Sequence, residues 1–532
     1  MGVAVSRALH LPLLGLLVLA LTAHSGISGA AEQQSLLIFN ARLIDGTGEP
    51  TRIASVRITD RRIADIGDLS PLPDEERVDA NGLVLSPGFI DTHSHHDANI
   101  FEMPDALSVV SQGITTIIVG VDGDSALPLS DFFDRLQASP TAINIASYSG
   151  HNTLRSRVMG DGYKRHATAA ELEEMVALLR SDMQSGALGL STGLEYDPGL
   201  YSHQDEVVVL TRVAAEYGGR YASHVRSEDI HLKSAIDEFI AIARKAELPS
   251  HISHIKLARR SLWGEAPALL EKLSKARAQG LNITADIYPY TFYESTMRIL
   301  FPKRDFDNRE SAEFALRELV RPEGLTLSHY GPDPDLVGKT IAEIASIRGQ
   351  DPAVVLMELI ERDLEYERSL EGDGGTNESA IGVAMSQADV DTLMRWQHTN
   401  ICSDGDLKDG HPRGRGAFPR VLANYVRERH VLTLEQAIHK MTRLSAKHVG
   451  LEDRGTIEVG SYADLVLFDP ATVRDHATIS NTNAMSTGIS KTWVNGQLAF
   501  SERKTTGLRP GKVLRRATLQ DTGRQSTDES TS

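Results

Sequence analysis

Eight short apolar runs recur along the middle of this chain, and they restrict its fold more than any other feature. They are "LVLSPGFID" (83–91), "TTIIVG" (115–120), "INIASYSG" (143–150), "ALGLSTG" (187–193), "RYASHV" (220–225), "SHISHIK" (250–256), "NITADIYPY" (282–290) and "TNICSDGD" (399–406). Each leads into polar or glycine residues and then an amphipathic stretch, such as "TAAELEEMVALLRSDMQSG" (168–186) or "DEVVVLTRVAAEYGG" (205–219). Strands alternating with helices build parallel sheets, and eight such repeats predict an α/β fold of the (β/α)8 TIM-barrel type. The seventh and eighth runs lie more than 100 residues apart. A gap of that length predicts an inserted lid, placed at about 291–350.

The flanks read differently. Residues 35–85 are short alternating segments punctuated by Gly, Asp and Asn, and "GTIEVGSYADLVLFDP" and "KTWVNGQLAF" near the far end resemble them. The pattern predicts hairpins, with 35–85 and 451–502 forming one β-sandwich beside a barrel spanning 86–450. At the start, Arg7 precedes "LPLLGLLVLALTA" and the small residues "SGISGAA". That is the pattern of a secretory signal over 1–31, cleaved near Ala30 or Ala31, and predicts a periplasmic or extracellular protein with no membrane span after cleavage. The polar tail 503–532 is expected to be disordered. With Cys402 alone, no internal disulfide is possible, and the net charge of -17 without any basic run excludes general nucleic-acid binding. Nothing in the sequence sets the oligomeric state.

In this barrel type the chemistry sits at the carboxyl ends of the strands. The cluster "DTHSHHD" (91–97) closes run one, Asp122 follows run two, His224 and His254 close runs five and six, and Asp404 follows run eight. They would therefore meet on one rim although they are remote in sequence. Strand alternation turns His93 and His95 to one face and His96 to the other. Asp97 falls on the face of His95 and is expected to orient it. Imidazoles with a carboxylate suit Zn2+ or a similar divalent ion. By the same spacing Arg226 follows His224 and Lys256 follows His254, so both are expected to face the site. His151 ends run three and is a further candidate for the pocket wall.

The string "PGFIDTHSHHD" resembles the opening metal motif of the amidohydrolase superfamily. "SGHNTLR", "GALGLSTGLEYDPGLYS", "YASHVRSE", "DIYPY", "SDGD" and "HPRGRGAFPRVL" narrow the resemblance to its N-acyl-D-amino acid deacylase (D-aminoacylase) group, over about residues 35–500. The resemblance implies that His93 and His95 form the first histidine pair and that His224 and His254 hold the more tightly bound metal. It implies that Asp404 is the catalytic acid–base, and that Lys256, Tyr288 and Arg413 hold the substrate's α-carboxylate. Ser295 joins them, although "YPYTFYEST" is one residue longer than the usual spacing. One departure stands out. The group usually carries "GNCG" after strand two, with the cysteine as ligand; here "GVDG" puts Asp122 there. Asp-Gly is also ordinary turn chemistry. One or two divalent ions are therefore compatible with the residues.

The reaction these residues imply is hydrolysis of a small-molecule N-acyl-D-amino acid. A second reading is hydrolysis of another linear or cyclic amide, by a dipeptidase or a hydantoinase- or dihydroorotase-like enzyme, because one barrel hosts many chemistries. A third is a degenerate barrel that only binds ligands.

Overall fold

The computed structural model describes residues 35–370, 377–408 and 410–516. The signal segment 1–31 and the tail from 517 onward lie outside the described residues. Eight strands make the barrel: Phe89–Asp91, Ile114–Val119, Asn144–Ser147 (continued by Ser149–Gly150), Gly189–Gly193, Arg220–His224, Ser250–Ile252, Ile283–Ile287 and Thr399–Ile401. Successive neighbours pair in parallel from the first to the eighth. Every residue of Ile114–Val119 is buried, as expected of a strand covered on both faces. The intervening helices begin on sequence signals. Thr168 and Glu171 form a capping box that starts Ala169–Gln184.

Strand eight meets strand one just beyond their ends. Ser403 N donates to Asp91 Oδ1, Asp404 N to His93 O, and His95 N to Gly405 O. The buried Asp91 is thus a clamp between the first and last strands, and it fixes the loops that carry His93, His95 and Asp404. Cys402 lies buried beside them as a free thiol.

The two chain ends share one continuous nine-stranded sheet. Val84–Pro87 pairs with Ser35–Leu43 on one side and with Leu465–Phe468 on the other. Leu37, Val56, Ile58, Leu465 and Trp493 are buried in or beside it. The insertion is larger than the sequence indicates. Its antiparallel strands are Phe292–Ser295, Leu325–Tyr330 and Glu378–Val383. With helices Ile341–Arg348 and Pro352–Ser369 it encloses its own core of Leu327, Ile344, Leu356 and Ile360. The third strand, far down the chain, carries the boundary past 350. The first part of the expected disordered tail is ordered too. Lys504–Thr505 extends the large sheet, Leu514 N bonds Ile145 O, and Arg516 donates to Ala187 O and Met183 O. Among the described residues, no helix is long and apolar enough to cross a membrane.

Candidate metal centre and active site

A pocket opens at the carboxyl ends of the barrel strands. His95, Asp122, His254, Lys256, Asp404 and Arg413 are part of its wall, with Glu195, Tyr196, Glu228, Asp229, Tyr293, Glu294 and Ser295. The chain turns sharply wherever it delivers a central group. Asp122 (φ 52°), His254 (φ 32°) and Asp404 (φ 53°) all hold left-handed backbone conformations without being glycine. Such positions cost free energy and concentrate at functional sites. The "GVDG" segment is therefore both a turn and a means of delivery. Gly123 is required beside it, because a Cβ there would lie 2.7 Å from Gly193 N.

One oxygen collects three imidazoles. Asp122 Oδ2 lies 3.2 Å from His93 Nε2, 3.3 Å from His254 Nε2 and 3.6 Å from His95 Nε2. Asp404 Oδ1 lies 3.3 Å from His95 Nε2 and 3.5 Å from His93 Nε2. His224 Nδ1 faces His254 Nε2 at 3.2 Å. These atoms fall into two adjoining donor sets: His93, His95, Asp122 and Asp404; and Asp122, His224 and His254. Within each, all donors lie within 4.8 Å of one another. Asp122 belongs to both. Its second oxygen, Oδ1, is buried without a hydrogen-bond partner. A nitrogen-and-oxygen donor set converging around an unsatisfied buried carboxylate fits a divalent cation.

The central carboxylates are held charged, and against burial they keep protons on two rings. Asp122 and Glu228 push His254 up to about 10, and Asp122 and Asp404 raise His95 well above its ordinary value, so a cation would take the place of those protons. Burial works against the charge on Asp122, but His93 and His254 beside it hold its carboxyl well below the usual range. Burial also opposes charge on Asp404, where Arg413 and His254 overcome it, so that carboxyl too stays ionised. His224 is pushed down to about 4, chiefly by burial, which keeps the ring neutral and able to donate a lone pair.

Behind these groups stand carboxylates that the sequence reading missed. Glu195 Oε2 sits 2.9 Å from His224 Nε2, and Glu228 Oε1 sits 3.0 Å from His254 Nδ1. Each grips the ring nitrogen opposite the one that faces its neighbour, which fixes ring orientation. Glu195, His224 and Glu228 also qualify as a donor set by distance. Glu228, however, is already taken up by Lys256 Nζ, at 2.8 and 2.6 Å from its two oxygens. Asp286 supports the next layer, accepting from His254 N and pairing with His251 Nε2 at 2.9 Å.

On the substrate side, Lys256, Arg413 and Ser295 line the pocket. Both cations are already paired, Lys256 with Glu228 and Arg413 Nη1 with Asp404 Oδ2 at 2.6 Å. Tyr288 lies beneath them, its ring 5.5 Å from Lys256 Nζ and 5.1 Å from Arg413 Cζ. Its hydroxyl is buried without a partner.

Two expected wall residues lie elsewhere. Arg226 is paired with Glu238 at 2.8 and 2.9 Å and donates to Leu200 O. Strand five ends at His224, so alternation stops before Arg226 can be turned inward. His151 opens a helix and lies 2.8 Å from Glu206, which also binds Arg155. It is a buried structural histidine. The strand carrying "DTHSHHD" likewise ends at Asp91. His93 and His95 converge because their loop is tied to the Asp404 loop, not through pleating. His96 is buried with Nδ1 2.6 Å from Ser94 Oγ. Asp97 makes no side-chain hydrogen bond to His95 among the described residues; it lies in a short 3-10 turn.

An eight-stranded parallel barrel with paired donor sets on its carboxyl rim defines the class of metal-dependent barrel hydrolases. A model described as "Amidohydrolase family" matches residues 76–500, and the chain belongs to that family. It is 35% identical over 509 residues to the N-acyl-D-glutamate deacylase of Alcaligenes xylosoxydans xylosoxydans, covering 91% of this chain and 97% of the relative. It is 34% identical to the D-aminoacylase of the same organism, covering 90% and 97%. Among solved structures, the N-acyl-D-glutamate deacylase from Bordetella bronchiseptica, complexed with zinc and a phosphonate inhibitor, superposes with a TM-score of 0.81 at 34% identity. The match covers 91% of this chain and 100% of that one.

Proposed function

We propose that this protein hydrolyses the amide bond of N-acyl-D-amino acids in a metal-dependent reaction, releasing a carboxylic acid and a D-amino acid. The observation that carries this reading is the sharing of Asp122 by two donor sets, with Asp404 and two cations in the same pocket. Its similarity to the named deacylases supports the substrate class.

His93, His95, Asp122, His224 and His254 would hold one or two divalent ions, zinc being the ion named in the similar Bordetella bronchiseptica structure. When bound, such an ion supplies positive charge that polarises a carbonyl and acidifies water. Asp404 is ionised and keeps Oδ1 toward the histidines while Oδ2 faces Arg413. It accepts a proton as water oxygen adds to the acyl carbon, then returns that proton to nitrogen as the C–N bond breaks. Lys256 and Arg413 bind the substrate's carboxylate, exchanging part of their contacts to Glu228 and Asp404 for it. Ser295 lines the same wall.

The test is a panel of N-acyl D- and L-amino acids, with metal content measured on the same protein sample. Turnover of D substrates is the expected result, and preference for L substrates overturns the stereochemical assignment. Metal-loaded protein with no turnover across the panel favours a binding role. We also propose that residues 1–31 direct export, which N-terminal sequencing of the mature protein tests. An intact Met1 on exported protein contradicts cleavage.

A further inference from the structure

A second concave site lies at the opposite end of the barrel. A cavity of about 320 Å³ sits beneath the amino ends of strands five to eight, large enough for a small ligand. Arg220 opens strand five, and His398 directly precedes strand eight. His251 comes from strand six. Lys447 and His448 come from the helix Arg443–Val449 that caps this end, and Arg277 from the helix before strand seven. All six line the cavity, and no carboxylate is among its described lining residues. That is an unusual wall in a chain of net charge -17.

The cations are largely uncompensated. Arg277 Nη1 is spent on the backbone, at Ile283 O. Arg220 and Lys447 make no side-chain hydrogen bond or salt bridge among the described residues. Arg220 is partly buried and Lys447 stands exposed at the mouth. The acid near enough to influence Arg220 is Glu452, itself exposed. His398 is pushed down to about 4, by burial first and then by Arg277, Lys440 and Lys447. Burial and the neighbouring His251 likewise hold His448 well below its ordinary value. Partly buried cations without carboxylate partners are rare in folded proteins.

We propose that this cavity binds a small tetrahedral oxyanion of the phosphate or sulfate class. Arg220 and Arg277 offer planar forks that match such oxygens, and Lys447 adds a mobile point charge at the entrance. The site is separate from the metal centre, yet one carboxylate spans the interval. Asp286 takes His251 of the cavity wall on Oδ2 and the backbone N of His254 on Oδ1.

The experiment is titration calorimetry of the metal-loaded protein with inorganic phosphate at fixed ionic strength. One phosphate per chain should bind, sulfate should compete, and chloride should not. The dissociation constant should rise at least tenfold in Arg220→Met/Lys447→Met protein and stay unchanged in Lys256→Met, which alters only the opposite pocket. Lys447→Met alone gives a severalfold rise, restored by Lys447→Arg, and keeps the test independent of any folding defect from loss of Arg220. No saturable binding to the wild type overturns the proposal. So does binding that is equally tight in the variants, or weakened by Lys256→Met instead.

Discussion

Replacing Asp404 with Asn separates chemistry from stability in a way that few positions here allow. The carboxylate stands 2.6 Å from Arg413 Nη1, and both side chains are almost fully buried. At an effective dielectric of 20, a unit pair at that distance attracts by about 6 kcal/mol before desolvation is counted. Desolvation cancels much of this, so the pair adds little net stability. Removing one partner is different, because it strands the other charge, at a cost of about 3–5 kcal/mol. Asp404→Asn should therefore lower unfolding stability by that amount in urea melts of metal-loaded protein. Adding Arg413→Met should recover about half of the loss, because no buried charge then stands alone. Catalysis should behave otherwise. Loss of the proton acceptor should cut kcat by about 10²–10⁴-fold, and the second substitution should not restore it. Metal content measured on each sample guards against loss of the ion. A kcat within tenfold of wild type in Asp404→Asn would refute the acid–base assignment. A double variant no more stable than Asp404→Asn would refute the stranded-charge argument.

Three further outcomes follow from the geometry. Asp122→Ala should weaken metal binding in a chelator competition by at least about tenfold, since both donor sets lose a shared member, whereas Asp122→Cys should retain the ion. Arg226→Met should leave kcat/KM within about twofold, because its contacts are to Glu238 and the backbone and such partly exposed pairs contribute little; a large rise in KM would return it to the pocket. Burial pushes the Glu378 carboxyl up to about 7, against weaker opposition from the Met297 amide and Thr296. The folded protein thus holds a proton there that the unfolded chain releases at lower pH, so stability falls as pH climbs from about 4.5 through 7. Glu378→Gln should remove that slope, and melts across this range should diverge by up to about 3 kcal/mol.

The barrel was legible because each strand is a compact apolar run with a glycine or polar exit, and burial on both faces writes that pattern directly into residues such as Ile114–Val119. The central groups were legible because histidine and aspartate at the ends of five of the eight runs are conspicuous. Glu195, Glu228 and Asp229 were not, since an acid in "GLEYDP" or "RSED" looks the same in sequence whether solvated or buried. Arg226 and His151 failed for geometric reasons: strand alternation was carried past His224, where strand five ends, and His151, read as a strand end, instead opens a helix. The insertion's third strand escaped because its partners are about fifty and eighty residues upstream, a pairing no local pattern encodes.

The large sheet has a consequence for how the protein is made. Val84–Pro87 has its second neighbour in Leu465–Phe468, which leaves the ribosome almost four hundred residues later. Throughout that interval the growing chain carries an unsatisfied sheet edge, and it still does so after the eighth strand, Thr399–Ile401, has emerged and the barrel can close. Open edges of this kind recruit other chains. Truncation before residue 465 should therefore give a product that aggregates even though all eight barrel strands are present, and a companion fragment carrying residues 451–516 should rescue it.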